Sequence, residues 1–357
     1  MSGGVDSSVA ALILRRQGLQ VVGVTMQLFP QPQTSTFDSG LSTGRSCCSL
    51  TDVLDAKEVS NKLDFDHQVH NFSRLFQAEV IERFVKAYLS GRTPNPCIDC
   101  NRRLKFTRLY ERAQLMGLDL MATGHYVRTA TDPKTGRRLL LKAKDPEKDQ
   151  SYVLYGLTQE ELARTVFPLG NILKSEVRSL ASQAGLINAS KPDSQDICFV
   201  RDGAYAGFVE NLCPFPVPGD IIDLKGQTLG RHQGIHHYTV GQRKGLGICG
   251  QEPLYVVKID AQTNSVTVGP ERALYSDGAI VSEVNLISIN ELTAPLEVQA
   301  KIRYRQPPFP AVLEPIGPEM VRLRFKAPQK AVTPGQAAVF YLGDVVVGGG
   351  TIEAPLS

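Results

Sequence analysis

The apolar pattern of this 357-residue chain changes character once, near residue 200, and that change limits the fold more than any other feature. Between residues 9 and 186, helical stretches alternate with short apolar runs. VVGVTM (residues 21–26) and LMATGH (residues 120–125) read as buried strands, while residues 53–63 and 75–89 read as amphipathic helices. Alternating strands and helices predict an α/β fold with a doubly wound parallel sheet and ligands beyond the carboxyl ends of its strands. After Val200 the chain turns to Gly, Pro and short β-branched runs such as LYVVKID, SVTVGP, VRLRF and AAVFYLGDVVVGGG. That half predicts small β-rich domains with no long helix-period segment. Three domains are expected, over residues 1–200, 201–275 and 276–357, and residues 29–44, rich in Gln, Ser, Thr, Pro and Gly, read as a mobile loop.

Several classes of function are narrowed by composition. No apolar run approaches the roughly eighteen residues that span a bilayer, and the first residues lack the zones of a signal peptide, so a cytoplasmic protein without a membrane partner is expected. Lys and Arg number 39 against 36 for Asp and Glu, a balance that leaves any nucleic-acid contact to local patches. Seven cysteines at irregular spacing do not read as a disulfide framework; in a reducing compartment such residues are catalytic, metal-binding or buried.

The stretch Ser2-Gly3-Gly4-Val5-Asp6-Ser7-Ser8 runs directly into the helical pattern VAALILRRQG, which ends at Gly18. Two glycines allow a tight turn, and the serines add hydroxyls to the N–H groups of a helix start, which together favour an anion. No Lys follows the glycines, so this is not the phosphate loop of kinases and GTPases. A bare Gly-Gly pair would equally serve as an ordinary helix-capping turn. The full string SGGVDSS is similar to the loop of enzymes that cleave ATP between its α and β phosphates and adenylate a carbonyl oxygen. That resemblance implies ATP with Mg2+, bound through Ser2, Gly3, Gly4, Val5, Asp6 and Ser7, with release of pyrophosphate. Members of that group carry an apolar strand just before the loop, whereas this sequence opens on the loop itself. The expectation is an absent first strand, explained by a misassigned start rather than a truncated product.

The stretch Gly91-Arg92-Thr93-Pro94-Asn95-Pro96-Cys97-Ile98-Asp99-Cys100-Asn101-Arg102-Arg103 is the most informative. Two prolines fix an extended approach, and two thiols three apart precede a helix carrying Arg102, Arg103 and Lys105. Thiols so placed should ionise easily, as a nucleophile or a metal ligand does. A CxxC pair alone fits a redox couple or half a zinc site, but no further ligands follow at short spacing. Downstream, Asp193-Ser194-Gln195-Asp196-Ile197-Cys198-Phe199 places a thiol after a polar run; by itself that cysteine would more often be a small buried hydrophobe.

Taken together, SGGVDSS, GRTPNPCIDCN and DSQDICF resemble the tRNA 2-thiouridylase family, sulfurtransferases that act on the wobble uridine, and the likeness runs to the last residues. The resemblance implies a sheet of the adenine-nucleotide alpha hydrolase type, a small central domain and a C-terminal β-barrel that grips RNA. It assigns Cys100 as nucleophile and Cys198 as carrier of a persulfide received from a sulfur-donor protein. ATP adenylates the uridine 2-oxygen, sulfur attacks that carbon, AMP leaves, and a Cys100–Cys198 disulfide is reset by a reductant. Many members carry Asp where this chain has Cys97. The third thiol leaves a second route open, an iron–sulfur cluster on Cys97, Cys100 and Cys198, as related thiolases use. Cys47 and Cys48, ahead of the helix at Val53, are expected to be buried or capping, with redox or metal chemistry as the alternative; Cys213 and Cys249 are expected to be structural.

The same resemblance marks further residues. Met26 and Gly124, at strand ends, would meet adenosine; as bare residues they are strand-end core and a turn. Asn95, Pro96, Cys97, His125 and the string Lys148-Asp149-Gln150 would face tRNA, although the last could be a solvated helix start. In Lys301-Ile302-Arg303-Tyr304-Arg305 an extended strand would put the cations on one face toward phosphates, with Tyr304 packing or stacking; a charged edge strand is the plainer reading. Gln336 of Pro334-Gly335-Gln336 would contact tRNA near the target base, and the base would be flipped out of its stack. Residues 236–247 are basic, aromatic and Gly-rich as an RNA-facing loop would be, and His236-His237, adjacent on a strand, are rejected as a zinc site. A monomer is expected. Two rivals stand beside this reading: another ATP pyrophosphatase acting on a small molecule, and a non-catalytic tRNA-binding protein.

Overall fold

In this computed structural model, residues 1–29, 50–193, 197–200, 204–213, 217–248 and 252–356 are described. Ser194, Gln195 and Asp196, residues 30–44 of the loop expected over 29–44, and Cys47, Cys48 and Cys249 lie outside the described residues. The first compact unit takes residues 1–80 and 97–203, and the second takes 81–96 and 204–357. The chain order is α1 (Val5–Arg16), β1 (Val22–Gln27), α2 (Leu50–Lys62), β2 (Asp66–Asn71) and α3 (Ser73–Phe76), then a π-helical turn Gln77–Ile81. There follow α4 (Glu82–Leu89), α5 (Pro96–Asp99), a π-helical stretch Cys100–Arg108 and α6 (Leu109–Leu115). The first unit continues with β3 (Met121–Ala122), β4 (Arg128–Thr131), β5 (Arg138–Leu141), α7 (Gln159–Ala163), β6 (Thr165–Val166) and α8 (Lys174–Gln183).

Parallel pairing follows the expected α/β logic, with β1 on β2 in register Val22 to Asp66 and β3 on β6 in register Met121 to Thr165. Among the described residues these are two separate parallel pairs. The strand read over residues 120–125 is only two residues long, Met121–Ala122; Thr123 N still donates to the Val166 carbonyl at 3.2 Å, and Gly124 then approaches Asp6 and Ser7 of the α1 loop. The α-amino group of Met1 donates to the Val24 carbonyl. Behind the sheet, Val5, Val9 and Ala10 of α1 pack with Val59 of α2 and Val177 and Ala181 of α8, all nearly inaccessible to water. This apolar stripe fixes where the N-terminus of α1 points. The single helix expected over residues 75–89 is split by the π turn.

In the second unit, α9 (Tyr205–Leu212) precedes β7 (Gly219–Ile222), β8 (Thr228–His232), β9 (Tyr255–Asp260) and β10 (Ser265–Gly269), which form one sheet in the order β8-β7-β10-β9. The eight-residue α9 adds a short helix to the expected β-rich half; its apolar Tyr205, Phe208, Val209 and Leu212 recur at helical spacing, and Phe84 of α4 meets Tyr205 and Phe208. The C-terminal strands are β11 (Tyr275–Leu286), β12 (Leu296–Lys301), β13 (Phe309–Gly317), β14 (Met320–Lys330), β15 (Ala337–Leu342) and β16 (Val345–Leu356). They pair antiparallel as β11-β14-β13-β12-β15-β16, and β16 returns to β11, so the C-terminal β-barrel implied by the family resemblance closes with six strands. Alternate residues fill it, among them Val281, Ala300, Leu313, Leu323, Phe340 and Val347. No helix among the described residues is long and apolar enough to cross a membrane.

Candidate active site

The loop before α1 is held from behind. Gly3 has φ +66°, a left-handed conformation that glycine adopts without strain, and a Cβ there would lie 2.3 Å from the Asp52 carbonyl oxygen. The Gly3 carbonyl accepts from Asn188 Nδ2 at 3.0 Å and Lys191 Nζ at 3.2 Å, and Lys191 also donates to Asp52 and Asp55 at 2.6 and 2.5 Å. Burial alone would lower the Lys191 pKa, but these two carboxylates raise it. Ser7 and Ser8 both donate to the Gly4 carbonyl at 3.1 Å, and Ser2 N donates to Ser7 Oγ at 3.2 Å. Gly4 caps α1 without a side-chain hydrogen bond, so the helix start keeps N–H groups turned to an incoming anion. Gly124 closes the other side: a Cβ there would stand 2.8 Å from Ser7 N. A loop of this shape fits a polyphosphate, because bulk is excluded where backbone must approach it.

Asp6 points away from that mouth into a charged network. Its carboxylate accepts from Lys174 Nζ at 2.7 and 2.8 Å and from the Tyr126 hydroxyl at 2.6 Å. Burial, reinforced by Asp6, raises the Tyr126 pKa, so the phenol stays a donor. Lys174 also meets Asp193 at 2.8 Å, and Asp193 takes Lys148 and Arg178 at 2.9 Å each. Burial would raise the Asp193 pKa, but Lys174 and Lys148 bring it below the usual carboxylate value. One lysine thereby ties the nucleotide-type loop to the residue five positions ahead of Cys198. Neither Lys174 nor Arg178 was singled out from sequence.

Cys198 is half-buried, and its neighbour Phe199 is buried edge-on against Phe76 of α3, ring centroids 5.7 Å apart. Phe76 is itself fully buried, so the Cys198 segment is docked on the helix that packs along the π-helical stretch headed by Cys100. Cys100 is half-buried and Cys97, on α5, is exposed. The π-helical winding over Cys100–Arg108 is marked by Thr107 Oγ1 donating to the Arg102 carbonyl at 2.7 Å, and local deviations of this kind recur at functional sites. Arg103 is steadied by Asp99 at 3.3 Å and Glu79 at 3.5 Å. Arg102, Arg103 and Arg108 line a cavity of 280 Å³ with Glu79, Thr107 and Glu161. Among the described residues, the three thiols do not converge as a single-ion ligand set.

The approach to those thiols is clamped within the second unit. Thr93 N donates to the Pro334 carbonyl at 2.9 Å, Gln336 Nε2 donates to the Thr93 carbonyl at 2.8 Å, and Arg92 meets Glu353 at 2.7 Å. Gln336 therefore holds the GRTPNP string, with Asn95 half-buried and Pro96 buried just beyond. In the first unit Asp149 accepts from Ala143 N and Ser151 N, and Gln150 accepts from Tyr126 N at 2.9 Å, so Lys148-Asp149-Gln150 is a fastened turn that leads into the 3-10 turn Ser151–Val153, with Gln150 at its N-cap. His125 packs on Phe106, its Nδ1 2.9 Å from Thr123 Oγ1, and burial pushes its pKa well down, leaving it neutral near pH 7. Met26 lies half-buried in β1.

The strand expected over residues 301–305 ends at Lys301. Arg303 instead folds inward, donating to the Ala331 carbonyl at 3.1 Å and Thr333 Oγ1 at 3.0 Å, while Tyr304 is exposed with Lys301 Nζ 5.9 Å from its ring centre. These two acceptors and the Val240 carbonyl, 3.4 Å away, draw the guanidinium in at the bend more strongly than an extended strand would present it. His236 and His237 lie in a 3-10 turn, not on a strand.

Three family descriptions match the chain in succession: a tRNA methyl transferase HUP domain over residues 1–202, a tRNA methyl transferase PRC-barrel domain over 206–270, and an aminomethyltransferase beta-barrel domain over 276–352. Among curated proteins, the tRNA-specific 2-thiouridylase of Desulforamulus reducens is 49% identical over 99% of this chain and 95% of its own. That of Acetivibrio thermocellus is 49% identical over 99% and 98%. Among solved structures, NMN synthetase from Francisella tularensis aligns over 60% of this chain and 76% of its own, with TM-score 0.34 and 18% identity, too loose a match to carry an argument.

Proposed function

The chain belongs to the tRNA-specific 2-thiouridylase family, and from that premise we propose that it is an ATP-dependent enzyme that replaces the 2-oxygen of a tRNA uridine with sulfur. One observation supports the reading above the others: Lys174 bridges Asp6 of the nucleotide-type loop and Asp193 just ahead of Cys198, which joins adenylation and sulfur delivery in one ion-paired framework. ATP would lie on Ser2–Ser7 at the start of α1, between Met26 and Gly124, where N–H groups of the helix start meet phosphate oxygens. Mg2+ arriving with it would neutralise charge on the phosphates.

Adenylation of the uridine 2-oxygen releases pyrophosphate and converts a poor leaving group into AMP. The terminal sulfur of a Cys198 persulfide then attacks C2, and AMP departs with the C–O bond. Cys100 attacks the Cys198 sulfur, which leaves the thiocarbonyl on the base and a Cys100–Cys198 disulfide; a two-electron thiol reductant restores both thiols. Alternatively Cys100 attacks the persulfide first and frees hydrosulfide as the nucleophile, with the same disulfide as product. The persulfide itself would come from a donor protein. No observation favours an iron–sulfur cluster on Cys97, Cys100 and Cys198. The wobble uridine is the proposed target, with Asn95, Pro96, Cys97, His125, Lys148, Asp149, Gln150, Arg303, Tyr304 and Gln336 as tRNA-side residues acting by contact or by holding the contacting backbone. A division into domains at 1–200, 201–275 and 276–357 is proposed with it.

The test is tRNA-dependent exchange of labelled pyrophosphate into ATP. Exchange that requires uridine-34 tRNA and survives Cys198→Ser supports adenylation of the RNA ahead of sulfur transfer. Exchange without tRNA but with a small carboxylate or amide would overturn it in favour of a small-molecule ligase.

A further inference from the structure

Glu210 lies on α9, and His236 and His237 end the 3-10 turn Ile235–His237. Both Nε2 atoms meet the same carboxylate oxygen, Glu210 Oε1, His236 at 3.3 Å and His237 at 2.8 Å. The two rings stand 4.4 Å apart at 39°, and the three donor atoms lie within 4.8 Å of one another. Neighbours on an extended strand would point to opposite faces, which was the ground for setting this pair aside. The turn removes that ground by sending both imidazoles the same way.

The spacing suits an ion better than chance packing requires. With metal–donor bonds of about 2.0–2.1 Å, neighbouring donors of a tetrahedral ion stand about 3.3 Å apart. His236 and Glu210 already have that separation, and His237 needs to open by roughly half an ångström, which its 35% exposed side chain permits. His236, by contrast, is 4% exposed and directly follows Ile235, a member of the buried core of this sheet. We propose that Glu210, His236 and His237 form a binding site for a divalent transition ion of the zinc class, with two imidazole nitrogens, one carboxylate oxygen and a fourth position open to water. Such an ion would staple α9 to the turn and brace a sheet of only four strands, where a small core gains most from a covalent-strength link.

The experiment uses the full-length chain carrying Cys97→Ser, Cys100→Ser and Cys198→Ser, so that the proposed catalytic thiols cannot bind the probe. After chelator stripping it is titrated with Zn2+ alone, and with Co2+ as a spectroscopic substitute. The expected result is about one ion per chain, visible Co2+ bands without near-ultraviolet thiolate charge transfer, and a Zn2+-dependent rise in melting temperature. Adding His237→Ala, at the exposed member of the set, or Glu210→Gln should remove that equivalent and the thermal shift while circular dichroism stays unchanged. Full Zn2+ stoichiometry in both variants, thiolate bands in the triple-Ser chain, or no binding at all would overturn the site, leaving a carboxylate hydrogen-bonded to two imidazoles.

Discussion

Lys174 is 8% exposed and holds Asp6 at 2.7 Å and Asp193 at 2.8 Å. Removing one partner of a buried pair typically costs 3–5 kcal/mol, but Asp6 and Asp193 keep side-chain exposures of 32% and 20%. Lys174→Met should therefore cost about 2–3 kcal/mol in urea unfolding, near or below the low end of that range, and slow pyrophosphate exchange; exchange at the wild-type rate would detach the network from the chemistry. A pH dependence follows from Asp193. Its native pKa is lowered, so its stabilising contribution is complete above the ordinary carboxylate value of about 3.9 and is lost as pH falls through the lowered native value. Stability measured by urea midpoint should decline below about pH 4, and less steeply in Asp193→Asn. Gly124→Ala should raise the KM for ATP by pushing a methyl onto Ser7 N, 2.8 Å away, with little change in tRNA affinity. At this scale the sequence revealed motif residues such as Gly3, Asp6 and Cys198, whose types and order are distinctive. It did not reveal Lys174 or Asn188, because a lone Lys at a helix start and a lone Asn in a turn look solvated until the chain brings residues some 170 positions apart together.

Among the elements, strands and helices with a strong period were legible: β1, α1, α2 and most barrel strands follow their apolar patterns. The misses have local causes. Residues 75–89 keep a helical pattern through the π turn, since one extra residue per turn shifts the stripe without erasing it. The eight-residue α9 was too short to stand out among β-branched runs, and the Arg303 bend is set by acceptors in the segment between β14 and β15, some thirty positions away. The clamp of Arg92, Thr93, Gln336 and Glu353 was half visible, as two separate motifs with no sign that they touch. Glu353→Gln should keep the hydrogen bond to Arg92 but lose its charge. With side chains 31% and 35% exposed, the effect on stability should stay within about 1 kcal/mol, while Gln336→Ala should reduce kcat of thiolation more than it changes tRNA affinity. A pure affinity loss in Gln336→Ala would make that residue an RNA contact rather than a positioning residue.

For the whole molecule, the closed barrel depends on β16, which pairs with both β15 and β11. Deleting residues 345–357 would expose two unpaired edges, and the product should aggregate on size-exclusion chromatography; a monodisperse, tRNA-binding product would show that closure is dispensable. In the proposed reaction ATP, tRNA and sulfur meet at Cys100 and Cys198, and one assay reaches all three: nucleoside mass spectrometry of purified tRNA incubated with the chain, ATP, a persulfide donor and reductant. The expected product is 2-thiouridine with wild type and with Cys97→Asp, and none with Cys198→Ser or Cys100→Ser although both still bind ATP and tRNA. Thiolation by Cys198→Ser would contradict it, and loss of thiolation in Cys97→Asp together with bound iron would replace the persulfide route with a cluster.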